Sequence, residues 1–260
     1  MKKFFPLLIM MLLLVTGCGS DDDKIKIGAI KYLNVTEETL AKFQKQNPNN
    51  KHIFFDNMNS MIAALQAGQI DEMSTYESVA NYFILRNPNF EWTEVSPAFV
   101  NMFCCAMREE DADLKKEFDA TILQMTKDGM LSRLVKTYMD LHAHDLPALE
   151  LPAFYGAETI KIGVTGDLPL LDLIRSDNTP AGFNTAVLAE ISNRIEKNFV
   201  LVQVDSGARA AALSSGQVDV IFWAVVPQDE TFPHDFDKPD GIILTVPYFS
   251  DKIVHVKLRK

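Results

Sequence analysis

The sequence predicts an α/β protein built from two similar lobes with mainly parallel sheets, and three observations support this class. First, the pattern of residues 64–71 is repeated at residues 212–219. Both segments contain the end of a predicted helix, followed by a glycine, an apolar residue and Asp. Second, each copy follows a similar strand that contains Lys, Ile and Gly, at residues 26–28 and 161–163. Third, strand and helix patterns alternate through both halves, which favours parallel strands joined by helices. A chain with two such lobes usually closes a cleft around a small molecule.

The first 17 residues have the pattern of a signal peptide, which is removed from the mature chain. A basic start precedes an almost wholly apolar run, 4–15, which is shorter than the roughly 20 residues of a membrane-spanning helix. Residues 15–18 resemble a lipobox, so we expect Cys18 to carry the lipid of a membrane anchor, with 18–23 as its tether. The alternative is an ordinary secretory signal with an incidental Cys. The acidic residues of the tether also resemble tags that send lipoproteins to the cell surface.

Residues 24–98 are predicted to form the first lobe from three strand–helix pairs. Apolar residues alternate or run together in the strands, and they recur at helical spacing between them. The expected order is a strand at 24–30, a helix opened by Thr36, a strand at 52–55, a helix from Met58 to Leu65, a strand at 69–74 and a helix through Tyr82.

Residues 99–140 are predicted to leave this lobe through an apolar strand and to continue as two helices, which meet at Lys127-Asp128-Gly129. The prolines, glycine and scattered acids of residues 141–158 indicate a surface linker. His142, His144 and Asp145 could bind a metal, but a linker gives them no fixed scaffold, so we expect no metal site.

Residues 159–260 repeat the order of the first lobe and end in one more alternating strand. The expected elements are a strand at 159–164, a helix introduced by Gly182, a strand at 199–204, a short helix from Arg209 to Leu213, a strand at 218–225 and a last strand at 248–258.

Composition excludes several classes of protein. The chain carries a net charge of −10, and removal of Lys2 and Lys3 with the signal makes it more negative. An acidic chain without a basic stripe argues against binding to nucleic acid or electrostatic docking on anionic lipid. Cys104 and Cys105 are neighbours in a strand and point to opposite faces, so we expect two buried thiols without a disulfide. The sequence has no phosphate loop and no catalytic serine or cysteine motif, so neither a cofactor nor catalytic residues are expected.

Two groups of short motifs point to one family. The first group is Ile162-Gly163, Gly166-Asp167-Leu168-Pro169, Gly182-Phe183, Leu213-x-x-Gly216-x-Val218-Asp219 and Pro247-Tyr248, and the second is Leu65-x-x-Gly68-x-Ile70-Asp71 with Asp113-Leu114 through Lys127-Asp128-Gly129-Met130-Leu131. With these motifs, Ile160–Pro247 resembles the first half of the type 2 solute-binding proteins of ABC importers, in the amino-acid-binding branch. Residues 24–139 resemble that family's second half. The resemblance implies a periplasmic-binding-protein type II fold with a ligand cleft between the lobes.

The two halves stand in the reverse of the family's order. A circular permutation explains this most simply: residues 141–158 would join the family's original ends, and new ends would open at the hinge. The competing interpretation is a pair of truncated tandem binding domains. We prefer the permutation because each half lacks the part that the other supplies.

The resemblance implies a ligand site at the carboxyl ends of the parallel strands. Three of the family's ligand-binding devices are replaced here: Leu168 takes the place of an aromatic residue, Thr231 of the carboxylate-binding Arg, and Tyr76, with Glu77 beside it, of the amine-binding Asp. We interpret this as a changed ligand; the alternatives are a shifted alignment or lost binding. The candidate ligand-binding residues are Asn34, Val35, Thr36, Tyr76, Glu77, Asp167, Leu168, Trp223, Ala224, Val225, Gln228, Glu230 and Thr231.

Trp223 and Arg209 each have a structural role as an alternative to ligand contact. Trp223 could stack on a planar ligand, but large aromatic residues are more often part of a core. Arg209 resembles a family arginine, and support of a loop is its preferred role.

The leading hypothesis is a monomeric, membrane-anchored solute-binding protein that captures a small polar molecule and delivers it to an ABC permease. One rival is an enzyme on the same fold, resembling dehydratases of prephenate-like substrates, with Glu77 and Glu230 as acid and base. The other rival is a sensor or interaction protein with a filled cleft. Fold resemblance does not separate these three, because function depends on the site.

Overall fold

A computed structural model describes residues 24–34, 41, 44–45, 47–95, 98–139, 146–228 and 234–259 of the chain. The expected lipid anchor at Cys18, the helix opened by Thr36 in its first turn, and the histidines of the linker lie outside the described residues. Among the helices that are described, none is long and apolar enough to cross a membrane.

Strands and helices alternate along the described chain. The strands are β1 (Ile25–Ile30), β2 (Asn50–Phe55), β3 (Glu72–Tyr76), β4 (Phe90–Glu94), β5 (Val100–Arg108), β6 (Thr159–Val164), β7 (Asp167–Leu168), β8 (Asp172–Ile174), β9 (Pro180–Ala181), β10 (Asn198–Gln203), β11 (Val220–Pro227), β12 (Ile242–Leu244) and β13 (Phe249–Leu258). The helices are α1 (Met58–Gln66), α2 (Glu77–Arg86), α3 (Ala112–Lys127), α4 (Met130–Tyr138), α5 (Phe183–Ile195) and α6 (Arg209–Ser214).

Two sheets share the long strand β13, and each sheet forms the centre of one lobe. The order is β10-β6-β11-β5-β13-β3-β1-β2, with β12 beside β5 and β4 beside β13. Residues 249–252 of β13 pair with β5, and residues 253–256 pair with β3, so this strand passes from one lobe to the other. The first lobe comprises residues 24–95, and the second lobe comprises the elements around β5, β6, β10 and β11.

The predicted two-lobed α/β class is confirmed, but the sheets are mixed rather than mainly parallel. The pairs β1–β2, β1–β3, β6–β10 and β6–β11 are parallel. The pairs that β5 and β13 make are antiparallel. The reason is that β5 and β13 each arrive from the other lobe and run against the strands that they join.

The sequence repeat corresponds to a repeated set of hydrogen bonds. In the first lobe, the backbone N–H of Asp71 donates to Lys26 O over 2.8 Å, and the N–H of Lys26 donates to the Asp71 carboxylate over 2.7 Å. Asp219 and Lys161 make the same two bonds, at 2.8 and 2.9 Å, in the second lobe. Each Asp therefore fixes the start of its lobe's first strand, and the following strand begins just after it.

The helices α3 and α4 pack on α5 of the second lobe. Phe118 of α3 lies stacked on Phe199 of β10, with ring centroids 5.7 Å apart. Cys104 and Cys105 of β5 are free and buried, and burial raises the pKa of the Cys104 thiol to about 12. Both thiols therefore act as small core groups.

The described part of the linker is attached to the second lobe rather than lying loosely on its surface. Leu146 is buried in a small cluster with Leu170 and Ala181. The Asn198 side chain accepts from the N–H of Phe154 over 2.7 Å and donates to Phe154 O over 3.0 Å. The sequence pattern missed this because proline and glycine indicate the absence of regular structure, not the absence of packing.

Candidate functional site

The two lobes meet where parallel strands of both sheets end, and described residues of both lobes line a small cavity there. A cavity of about 20 Å³ remains at this junction. Such a volume holds about one water molecule, whereas ligand pockets usually measure some 300–1,000 Å³. The lining residues are Ala29, Ile30, Tyr32, Ser74, Thr75, Tyr76, Leu168, Trp223 and Ile253. Together with the hydrogen bonds that cross the junction, this places the described parts of the two lobes in direct contact.

Tyr76 and Trp223 form the aromatic contact at the floor of the junction. The indole Nε1 of Trp223 donates to the Tyr76 hydroxyl over 3.2 Å, and the two rings meet edge to face with centroids 5.9 Å apart. Burial raises the pKa of Tyr76 well above its ordinary value, so the hydroxyl stays neutral. The backbone of Trp223 has a φ of 89°, beside an irregularity in the pairing of β11 with β5. A positive φ is rare for a bulky residue, and such strain often lies at functional sites.

Arg209 is a buried cation that joins the backbones of both lobes. Its side chain is 1% exposed. The guanidinium donates to Trp223 O over 2.6 Å, to Lys31 O over 2.8 Å and to Ser206 O over 3.3 Å, and it lies 4.5 Å from the Trp223 ring centroid. These contacts agree with the structural role that the sequence favoured for this residue.

Asp237 places a carboxylate between the lobes. It is 1% exposed. One oxygen, Oδ1, accepts from the backbone N–H of Leu33 in a very short bond and from that of Asn34 over 3.2 Å. The other oxygen accepts from the N–H of Val225 over 3.0 Å. The donors come from both lobes, so this carboxylate holds them together.

A second carboxylate, Asp167, crosses the junction to the start of α1. Its Oδ2 accepts from the backbone N–H of Met58, the first residue of that helix, in a very short bond. The Asn57 side chain caps the same helix by accepting from the N–H of Ser60 over 2.9 Å. The exposed N–H groups and dipole of a helix N-terminus favour a negative charge. Asp167 thus takes the position that an anion would take.

Burial raises the pKa of both carboxyl groups to about 6. For Asp167 the charge of Asp172 adds to this effect, while the bond from Met58 opposes it. For Asp237 the Arg209 guanidinium and the backbone donors oppose it. A carboxyl group whose pKa is raised in the folded state takes up a proton on folding. Its contribution to stability is complete below the ordinary pKa of about 4 and is lost as the pH rises through about 6.

We therefore expect wild-type protein to gain stability relative to Asp167→Asn as the pH falls from 7 to 5. For one group the gain in the free energy of unfolding is about 1 kcal/mol. Urea unfolding at both pH values measures it. His52, whose pKa is lowered by burial, is present in both proteins, so the difference between them isolates Asp167. An equal pH dependence in the two proteins would show that the Asp167 carboxyl is not buried between the lobes.

The structure brings several of the predicted site residues together. Tyr76, Leu168 and Trp223 line the small cavity, whereas Asn34 and Val225 donate to Asp237. Ala224 is fully buried in β11.

Two predicted residues lie elsewhere, and four lie outside the described ranges. Glu77 starts α2 and affects the pKa of Asp251 and Lys252 on β13. Gln228 is exposed, and its N–H donates to Val100 O over 2.9 Å at the end of the β11–β5 pairing. Strand-end position alone did not distinguish these side chains from those of the junction. The four residues outside the described ranges are Val35, Thr36, Glu230 and Thr231.

Sequence reasoning missed Asp237, Phe236 and Met58 as residues of the junction. The capping pattern of Asn57 and Ser60 after β2 could have indicated a helix N-terminus at a strand end. Asp237 gives no such signal, since it contacts residues about 204 positions away. Among the described residues there is no cluster of three or more His, Cys, Asp or Glu that could hold a metal ion.

A larger cavity lies on the second lobe, outside the junction. Its volume is about 460 Å³, and it is broadly open to solvent. Its polar lining includes Lys115, His234, Asp235 and Lys238. Lys115 already pairs with Asp119 of its own helix. Such an open depression would bury little of a ligand.

Comparison with known proteins gives one family match. Residues 160–231 match the model of the bacterial extracellular solute-binding proteins, family 3. This match confirms the family resemblance for that part of the second lobe. No curated protein matches the chain.

Solved structures with a related arrangement share little sequence with this chain. Full-length CbnR complexed with its target DNA is 12% identical, with 91% of this chain and 64% of that chain covered and a TM-score of 0.43. The ligand-binding component of an ABC-type import system from Staphylococcus aureus, with zinc bound, is 13% identical, with 89% and 65% covered and a TM-score of 0.42. The GluR0 ligand-binding core complex with L-glutamate is 10% identical, with 91% and 85% covered and a TM-score of 0.41. The chain thus spans slightly less than two thirds of the first two proteins.

Proposed function

We propose that this chain is an extracytoplasmic solute-binding protein that closes its two lobes on a small polar solute. The observation that carries the proposal is the convergence of backbone N–H donors from both lobes at the strand ends. Leu33 and Asn34 supply them from the first lobe, Val225 from the second, and α1 adds its N-terminus. Donors of this kind hold anionic groups of ligands in open α/β sheets. The family match of residues 160–231 supports the same function.

We infer that the lobes open to admit the solute, since the cavity that the described residues line at the junction holds about one water molecule. Hinge motion about the shared strand β13 would separate them. The solute would be a small amino-acid-like or related polar molecule, bound without catalysis by a monomer and without a cofactor. Tyr76, Trp223 and Leu168 would contact it at the cavity, and Asn34 and Val225 would donate to it.

The remaining parts of the proposal rest on the sequence. A lipid at Cys18 would anchor the protein to a membrane, and an ABC permease would receive the solute. We further propose a circular permutation, with lobes at 24–98 and 159–260, closing helices within 99–140 and a joining segment at 141–158. The packing of α3 and α4 on α5 supports it, because these helices precede the linker in the chain yet pack on the lobe that follows it.

A second candidate is a sensor or interaction protein that binds no free solute. The contacts at the junction favour it, because side chains of the chain itself already use its donors: Trp223 donates to Tyr76, and Asp167 and Asp237 accept from backbone N–H groups.

A thermal-shift screen of the purified protein separates these candidates. The panel would contain amino acids, small peptides, organic acids, nucleobases and polyamines. A solute at about 100 times its dissociation constant should stabilise the protein by about 2.7 kcal/mol. Tyr76→Phe should reduce the shift, because it removes the hydroxyl at the junction. Tyr138→Phe, on helix α4, is the matched control and should keep it. If the protein unfolds cooperatively and no compound raises its melting temperature, solute binding is rejected for this panel and the second candidate is favoured.

A further inference from the structure

The segment 234–238 inserts two side chains between the lobes. Phe236 is 6% exposed, and its ring meets Tyr32 edge to face with centroids 5.1 Å apart. Asp237 follows it and is almost fully buried. Asn34 Nδ2 adds a bond of 3.3 Å to Lys238 O. An aromatic ring and a carboxylate from the second lobe thus lie against residues 32–34 of the first.

The surroundings of the Asp237 carboxylate are those of an anion site. Three backbone N–H groups, from Leu33, Asn34 and Val225, donate to its two oxygens. Burial raises the pKa of Asp237 to about 6, and the buried Arg209 guanidinium opposes this effect and favours the charged form. Converging backbone donors with a nearby cation are the usual protein receptor for a free carboxylate or phosphate. Val225 belongs to strand β11, and Leu33 and Asn34 lie in a turn that follows β1.

We propose that Asp237 is an internal ligand: its side chain occupies an anion-binding site between the lobes that accepts a small free carboxylate when the side chain is absent. In the wild type, an acidic solute must displace Asp237 before it can use these donors. The segment 234–238 then regulates the cleft by competing for it. This consequence rests on the proposed solute-binding function, whereas the occupied anion site does not.

Chemical rescue tests the proposal. Asp237→Ala leaves three buried N–H donors and the Arg209 cation without their carboxylate, so its melting temperature should fall by roughly 4 °C or more. Formate or acetate should recover at least half of this loss, compared with chloride at equal ionic strength. Wild-type protein should respond equally to all three salts. Asp235→Ala removes a neighbouring exposed carboxylate and is the matched control, with no loss and no rescue expected.

A second variant, Asp237→Asn, shows whether rescue by formate requires an empty site or only a weakened interaction at the site. The amide fills the volume of the carboxylate, but its NH2 group faces the N–H of Val225, so we expect lower stability without rescue by formate. If Asp237→Ala does not fold in chloride, its refolding yield in formate against chloride gives the same answer. Equal behaviour of Asp237→Ala in all salts, whether folded or unfolded, would overturn the proposal. Rescue of Asp237→Asn to the same extent would also overturn it.

The rescue experiment tests the internal ligand, and the solute screen tests the solute-binding function, so either one can be rejected without the other. A solute that stabilises the wild type, together with no rescue of Asp237→Ala, would reject the internal ligand and keep the solute-binding function. Rescue without any active solute would keep the internal ligand and reject competition with a solute from the panel. If an acidic solute is found, Asp237→Ala should bind it more tightly than the wild type does.

Discussion

Replacing Arg209 by Ala is expected to lower the free energy of unfolding by about 3–5 kcal/mol. The guanidinium satisfies the carbonyls of Ser206, Trp223 and Lys31, and the two shorter bonds join different lobes. Its loss would leave those carbonyls without the donor that Arg209 supplies. It would also leave the Asp237 carboxylate without its neighbouring cation. Urea unfolding followed by circular dichroism measures the change.

Arg209→Lys is the matched variant for this prediction. It keeps the positive charge but loses the planar fork, so one ammonium group cannot bond both Trp223 O and Lys31 O with the same geometry. We expect a loss intermediate between wild type and Arg209→Ala. A loss below about 1 kcal/mol for the Ala variant, which is typical of surface changes, would contradict a buried bridge between the lobes.

Replacing Trp223 by Ala should cost a similar amount, about 3–5 kcal/mol, because a large buried ring leaves a cavity. Trp223→Gly is the informative companion. The backbone φ of 89° costs an Ala or Trp residue about 1–2 kcal/mol, and Gly adopts it freely. Part of this gain is offset by the greater freedom of Gly in the unfolded chain.

We therefore expect the Gly variant to be at least as stable as the Ala variant, by up to about 1 kcal/mol. At a position with ordinary backbone, Gly would be the less stable of the two by a similar amount. That opposite order in urea unfolding would show that Trp223 does not have the positive φ. Trp92 on β4, whose Nε1 donates to Asn81 Oδ1 over 2.7 Å, is the control position. There the Ala variant should be more stable than the Gly variant.

The regular architecture could be predicted from the sequence because it depends on local patterns. The motif repeated at residues 64–71 and 212–219 predicted two equivalent lobes. Its Asp residues, Asp71 and Asp219, make equivalent hydrogen bonds to the first strand of each lobe. Apolar periodicity placed α3, α4 and β13 close to their observed bounds. The short strands β7–β9 and β12 were missed, since two or three residues are too few for a periodic signal.

The candidate site was predicted in its location but not in its content. Strand-end reasoning identified Tyr76, Leu168 and Trp223, which line the cavity at the junction. It could not predict that Asp237 reaches Leu33, because contacts at that sequence separation leave no local pattern. It also treated Asp167 as a ligand-binding group, whereas the closed lobes place its carboxylate on the α1 N-terminus. Closure of the lobes decides which of these side chains face a ligand.

A solute that binds between the lobes can enter only when they part, and a lock across the junction tests this directly. The Ser206 N–H donates to Asp56 O over 2.9 Å, and a Cβ atom placed on Gly207 would contact the Asp56 carboxylate. The double variant Asp56→Cys, Gly207→Cys should therefore form a disulfide that holds the lobes closed. Asp56→Cys alone is the control for loss of the exposed pair with Lys31.

The measurement is calorimetric titration of the double variant, oxidised and then reduced, with the solute that the screen identifies. We predict binding to the reduced protein at wild-type affinity and little or no binding to the oxidised protein, because the lobes must part to admit the solute. Equal binding to both forms would contradict a site between the lobes and place the solute elsewhere on the chain.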